Sequence, residues 1–203
     1  VAEASHFARR ALQNISLSYL MLSGKPDVVA ACVDQFEQAD NMTERLTALA
    51  VLVNSDFEAE RAKALEAFAE HFKDNPLVMD QWFSVQAGNT QPGGLERVQH
   101  LMQHPAFTLK NPNKVRALIG AFANQNLVNF HRADGAGYRF LADQIIVLNK
   151  LNPQIASRLL APLTRWRKYD AGRQGLMKSE LERILASGEL SSDVYEVVSK
   201  SLA

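Results

Sequence analysis

Apolar residues recur every three or four positions along almost the whole chain, the spacing of a helix with one buried face. Phe7, Ala11, Ile15 and Leu22 share a face of a first helix over 3–22, which Gly24-Lys25-Pro26 stops. Asp27 is placed to cap a second helix reaching about residue 38, and Asn41-Met42-Thr43-Glu44 starts a third, with Asn or Thr as its cap. Leu46, Leu49, Ala50 and Val53 form the expected buried face of that third helix. Residues 57–72 are rich in Ala, Glu, Lys and Arg, a strong helix-forming composition, and Asn75-Pro76 opens a helix carrying Val78, Trp82, Phe83 and Val85. Residues 87–94, AGNTQPGG, are the most irregular stretch, the candidate flexible loop or sub-domain boundary. A short helix over 95–102 breaks at His104-Pro105.

The clearest helix start in the chain is NPNKVRALIGAFA, residues 111–123. Asn111 can cap, Pro112 suits the first helical position, and Val115, Leu118, Ile119 and Phe122 repeat at helical spacing. Arg116 stands one residue round from that stripe. A single turn is expected at 126–131, a two-glycine loop at 132–137 and a helix over 138–151. Asn152-Pro153 repeats the Asn-Pro start, Pro162 kinks or ends the helix it opens, and helices over 170–186 and 191–202 complete the chain. No sustained alternation of apolar and polar residues marks a strand. The expected fold is therefore all-α, with antiparallel helical pairs stacked into a superhelical, armadillo- or HEAT-like array within a single domain, 1–203. Such arrays are usually binding or scaffolding surfaces.

Composition narrows the partners. Lys+Arg 22 against Asp+Glu 22 leaves no net charge to attract nucleic acid or an anionic membrane. Acids dominate residues 34–60 and bases 158–183, a weak charge dipole along the chain. Cys32, the only cysteine, lies in an apolar run that suits a buried thiol, so no internal disulfide forms and a reducing, cytoplasmic home is expected. No apolar run approaches a membrane span, the first residues lack a signal-peptide layout, and a start at Val1 suggests a fragment of something longer.

Catalytic chemistry finds little support in the letters. His100 and His104 have the spacing of a zinc-binding helix, but Leu101 stands where the general-base Glu belongs, and Pro105 frays the helix at the second ligand. His6, His71 and His131 are scattered singly and read as structural or surface groups. Gly135-Ala136-Gly137 has neither a preceding strand nor a third glycine, and no serine sits on a nucleophile elbow. Arg165-Trp166-Arg167-Lys168-Tyr169 mixes bases with aromatics, yet five residues spread around a helix suit a solvated or interdomain face better than a nucleic-acid groove. No catalytic or metal-binding residue is assigned to this chain.

Four blocks read together carry a resemblance: NNMTERLTALAVL from Asn41, NPLVMDQWFSVQA from Asn75, HPAFTLKNPNKVRALIGAFA from His104 and NPQIASRLLAPLTRWRKYDAGRQGLM from Asn152. In this order and spacing they resemble the C-terminal helical domain of bacterial aminopeptidase N, the alanyl aminopeptidases of the gluzincin class. The resemblance implies an all-helical superhelix that packs on the catalytic domain of the same polypeptide, encloses the active-site cavity and limits which peptides reach it. It implies zinc in that parent catalytic domain and no cofactor in this stretch, because the family's His-Glu-x-x-His and Gly-Ala-Met-Glu-Asn motifs are absent here. Arg116 and Arg158, each in the second turn of an Asn-Pro helix, are by this resemblance substrate-cavity residues. On the residues alone, such an arginine equally lays its stem on the core and its head in water. An independent helical-repeat module for a protein partner is the alternative reading of the whole.

Overall fold

Helix α3, Met42–Val53, is the centre of the first half of the molecule, because four of its side chains, Ala48, Leu49, Leu52 and Val53, are 0% exposed. The structure, a computed structural model, describes residues 4–203, and all its regular elements are helical. The chain divides into two units, Val1–Gln91 and Pro92–Ala203, and the break after Gln91 falls inside the irregular 87–94 stretch.

In the first unit α3 packs against α1, Ala4–Met21, α2, Pro26–Gln38, α4, Glu58–Phe72, and α5, Pro76–Ala87. The Asn41 side chain accepts a hydrogen bond from the Glu44 N–H, and Asn75 does the same for Val78 ahead of Pro76, so orphan donors at two helix starts are satisfied by the residues before them. Helix α2 departs from expectation. Pro26 takes the first helical position, Lys25 precedes it in extended conformation, and Asp27 lies in the first turn, where its charge favours the helix dipole. The expected helix start at Glu3 lies outside the described residues. Leu46 and Ala50 of α3 are only half-buried, and Met79 joins Trp82 and Phe83 in the core of α5 while Val78 and Val85 stay half-exposed. Trp82 donates through Nε1 to the Leu65 carbonyl at 3.0 Å.

The largest surprise in this unit is α1. Its buried residues are Leu17 and Met21, whereas the periodic set Phe7, Ala11, Ile15 and Leu22 is exposed. The 87–94 stretch is tied down: the Asn54 carboxamide oxygen accepts from the Thr90 N–H at 3.0 Å, and the Gln91 side chain donates to the Asn54 carbonyl at 3.0 Å.

The second unit holds α6, Gly94–Leu101, α7, Pro112–Val115, a π turn, Arg116–Gly120, α8, Ala121–Gln125, and α9, Leu127–Phe130. It continues with α10, Ala136–Leu151, α11, Pro153–Leu159, α12, Ala161–Thr164, a 3₁₀ turn, Trp166–Lys168, α13, Ala171–Leu185, and α14, Ser192–Leu202. Helix α10 packs on α9, α11 and α13, and α14 packs on α11 and α13. Phe122 meets both Phe130 and Phe140 edge-on at 5.9 Å, and Tyr138, fully buried, meets Phe130 at 5.3 Å.

The expected loop over 132–137 is shorter than the sequence suggests. Gly135, at φ 69°, precedes α10, and Gly137 lies within its first turn. A Cβ at Gly137 would collide with the Phe130 carbonyl oxygen, so only glycine lets the two backbones meet there. In contrast, a Cβ at Gly175, inside α13, would meet nothing within 4 Å. Gly137→Ala is therefore expected to cost about 2–3 kcal/mol or more, the scale of overpacking against a rigid neighbour, while Gly175→Ala should gain about 0.5–1 kcal/mol from helix propensity. Urea unfolding followed by circular dichroism measures both; a tolerated Gly137→Ala would mean the contact is softer than it looks.

Candidate binding pocket

The two Asn-Pro helices of the second unit build one pocket. Asn111 accepts from the Asn113 N–H at 2.9 Å and Pro112 begins α7. Val115, Leu118, Ile119 and Phe122 are then all 0% exposed, which fixes the rotation of the helix and leaves Arg116 on the outside. Asn152 likewise accepts from the Ile155 N–H at 3.2 Å ahead of Pro153, and burial of Ile155, Ala156 and Leu159 leaves Arg158 exposed.

Between them lies a pocket of about 280 Å³ lined by Arg116, Gly120, Asn124, Gln125, Ile155 and Arg158, with Ala121 and Leu159. None of these residues is acidic. Arg116 donates to the Asn113 side-chain oxygen at 2.9 Å and has no carboxylate partner among the described residues, and Arg158 makes no hydrogen bond or ion pair to a described residue. Two guanidinium groups without counter-ions can receive carbonyl oxygens or a carboxylate.

The π turn shapes the wall. The Ala121 N–H donates to the Arg116 carbonyl, five residues back, which widens the helix by one residue at the mouth of the pocket. Gly120 sits in this turn, and Asn124 donates to its carbonyl at 2.9 Å. No propensity or periodicity in the sequence announces this wide turn.

In the sequence His131 stands only as a lone structural or surface histidine; in the structure it is the centre of a second polar cluster. It shares a hydrogen bond with the Tyr138 hydroxyl through Nδ1 at 2.8 Å and with the Tyr169 hydroxyl through Nε2 at 2.9 Å. Arg173 donates from Nε to the His131 carbonyl at 2.9 Å. Burial, and secondarily the Arg173 charge, hold the His131 imidazole below its ordinary value, and burial pushes the Tyr138 phenol up to about 12. This cluster locks α9, α10 and the start of α13 together. Nothing in single-residue spacing could have found it, since its members lie far apart in the chain.

The other sequence candidates fall elsewhere. Helix α6 ends at Leu101, so His100 is in its last turn and His104 lies beyond it, with Nδ1 accepting from the Ala106 N–H. The Arg165–Tyr169 segment is a turn rather than a helix face: Trp166 Nε1 and Arg167 both donate to the Ser201 carbonyl, at 3.2 and 2.7 Å. Among the described residues no group of three or more His, Cys, Asp or Glu could hold a metal ion. No helix of the described residues is long and apolar enough to cross a membrane.

Comparison with known proteins gives this geometry a family. The family model described as "Domain of unknown function (DUF3458_C) ARM repeats" matches residues 1–203. The chain belongs to this family. It is also 42% identical over 202 residues to aminopeptidase N of Escherichia coli, covering 99% of this chain and 23% of that protein, and 42% identical over 195 residues to aminopeptidase N of Haemophilus influenzae, covering 96% and 22%. The match is to the C-terminal region of aminopeptidase N. Among solved structures, Legionella pneumophila aminopeptidase A in complex with aspartic acid superposes with TM-score 0.89 at 39% identity, over 95% of this chain and 23% of that one. The chain thus spans under a quarter of the length of these relatives, and an ARM-repeat domain is what its helices form.

The histidine geometry sets a pH dependence. His131 and His104 are both held below 6.5, in each case by burial first, so the unfolded chain binds more protons just below that pH. Stability should fall as pH drops from about 6.5 towards 5, before Asp134, Asp170 and Glu96, whose folded forms favour the carboxylate, begin to protonate. Urea midpoints at pH 7.5 and 5.5 should differ, and His131→Gln should shrink the difference while lowering both values. An unchanged pH difference in the variant would remove His131 from this role.

Proposed function

We propose that this chain is the C-terminal, non-catalytic domain of a zinc aminopeptidase that removes N-terminal amino acids from peptides. In this reading it packs on the catalytic domain of the same polypeptide, encloses the active-site cavity and admits short peptides while excluding folded proteins. Zinc and the water it activates belong to that catalytic domain, and a cytoplasmic home suits the single buried thiol of Cys32.

The observation that carries the site assignment is the convergence of Arg116 and Arg158 on one pocket with no acidic residue in its wall. A peptide long enough to extend from the catalytic centre presents carbonyl oxygens and a terminal carboxylate, the groups a guanidinium binds best. The two arginines therefore hold the far end of the substrate, with the chemistry done elsewhere.

In the full-length enzyme, Arg116→Ala or Arg158→Ala should raise KM for tri- and tetrapeptides about tenfold, the scale of one charge-assisted hydrogen bond, and leave a single-residue chromogenic substrate unaffected. Equal effects on both substrate classes would refute the assignment. The isolated 203-residue chain should hold no stoichiometric zinc after dialysis and cleave no alanyl amide. Elemental analysis and a chromogenic assay check this, and chelator-sensitive turnover would overturn it.

A further inference from the structure

Helices α2 and α4 lie side by side on α3 and leave a trough between them. One wall is Pro26, Val29, Ala30, Val33, Asp34 and Glu37, a single stripe at i, i+3, i+4, i+7 spacing that runs about 16 Å along α2 at 1.5 Å per residue. The other wall, Phe57, Glu60, Lys63, Ala64 and Ala67, runs about as far along α4. Two adjoining hollows of about 400 and 270 Å³ make up the trough and share Val33 and Glu60. Val29, Phe36 and Ala64 form its buried floor, with Val33 and Phe57 half-buried beside them. The exposed Ala30, Ala59 and Ala67 are too short to close the mouth.

The charge along this trough is of one sign. Asp34, Glu37 and Glu60 face Lys63 alone, which gives the acidic bias of residues 34–60 a place in the fold. Glu37 meets Lys63 at 3.6 Å, while Asp34 and Glu60 make no hydrogen bond or ion pair to a described residue. Nor do the three carboxylates converge: among the described residues no group of three or more acids could hold a metal ion. Negative charges spread along two walls match positive charges spread along a partner, not a single ion.

We propose that the trough between α2 and α4 is a docking groove for a basic amphipathic helix of another protein, which lays apolar side chains on Val29, Val33 and Phe36 and sets Lys or Arg beside Asp34 and Glu60. Such a helix anchors through residues at i, i+3 or i+4, and i+7, a span that three turns of wall accommodate. A second copy of this chain is the poorer occupant, because a two-fold contact through this face would set Asp34, Glu37 and Glu60 against the same acids. Phosphate-bearing surfaces are disfavoured by the same carboxylates. The groove is separate from the Arg116–Arg158 pocket and needs no peptidase activity.

The test is made on the full-length polypeptide by fluorescence anisotropy. Its probe is a labelled helical peptide of about fourteen residues, with leucines on one face and lysines on its flanks. The peptide is acetylated and amidated, so it offers neither a free amino terminus to a peptidase site nor a carboxylate to the two arginines. The expected result is saturable binding that weakens as salt is raised. Asp34→Lys with Glu60→Lys should weaken it about tenfold, and the milder Asp34→Asn with Glu60→Gln by less, with helix content unchanged by circular dichroism. Ala30→Trp, which fills the mouth without altering charge, should weaken it as well. Three outcomes would each overturn the proposal: no saturable binding, whether for want of affinity or because another part of the polypeptide covers the trough; equal binding of a peptide with Glu in place of Lys; or an affinity unchanged in all the variants. Displacement of the peptide by an equimolar simple alkylamine would likewise make the trough a small-molecule pocket and not a docking groove. Turnover of an alanyl amide should be the same in every variant, so its loss would bear on the peptidase reading alone.

Discussion

The second unit depends on one close approach of backbone to backbone, Gly137 against the carbonyl of Phe130. With no side chain in the way, α10 can begin almost on top of α9, which drives Tyr138 wholly into the interior. A buried phenol needs a partner, and His131, at the end of α9, is the group within reach. The second ring nitrogen of His131 then holds Tyr169, and its carbonyl holds Arg173, so the register of α13 follows from the same contact. Phe130 in turn packs on Phe122, and Phe122 lies in the turns directly after the π turn that carries Arg116. The pocket inherits its geometry from a glycine that never touches it.

How the chain behaves electrostatically is a local matter. Acids and bases balance over 203 residues, yet the pocket wall contains two guanidinium groups and no carboxylate. Three other arginines of the same unit are paired: Arg132 bridges Glu96 and Asp134, Arg173 pairs with Asp170, and Arg183 pairs with Asp143 and Glu180. These pairs are largely exposed and contribute little to stability, but they neutralise their cations. On the pocket wall Arg116 and Arg158 make a small positive field whose reach is about one Debye length, roughly 8 Å at physiological salt. Under the proposed function, this local field would draw a carboxylate to one spot of a chain whose net charge is zero.

Much of this is legible in the letters, and the reason is that helix starts are local chemistry. Asn41, Asn75, Asn111 and Asn152 each accept from an N–H two or three residues on, and three of them precede a proline suited to the first helical position. Two such starts set Arg116 and Arg158 alike in their helices, while a cavity role for them comes from the family resemblance and not from the spacing. The π turn is not legible, because neither residue propensity nor apolar spacing separates an i+5 hydrogen bond from the ordinary helical one. The letters place Gly137 in a loop because glycine usually marks one; here it marks contact. Periodicity in α1 announces an apolar face, but the residues its neighbours cover are Leu17 and Met21, because spacing shows which positions are apolar and not which of them another helix reaches. The His131 cluster is invisible for a similar reason, its partners being 7, 38 and 42 residues away.

Cys32 has a use that follows from its burial. It is fully enclosed, donates weakly to the Ala48 carbonyl, and its thiol is raised to about 11, so almost no thiolate exists at neutral pH. Electrophiles that react through the thiolate will pass it by. The native molecule is thus already silent to maleimide chemistry, and a single cysteine placed on any exposed helix would take a fluorophore or spin label alone, with the wild-type core left intact.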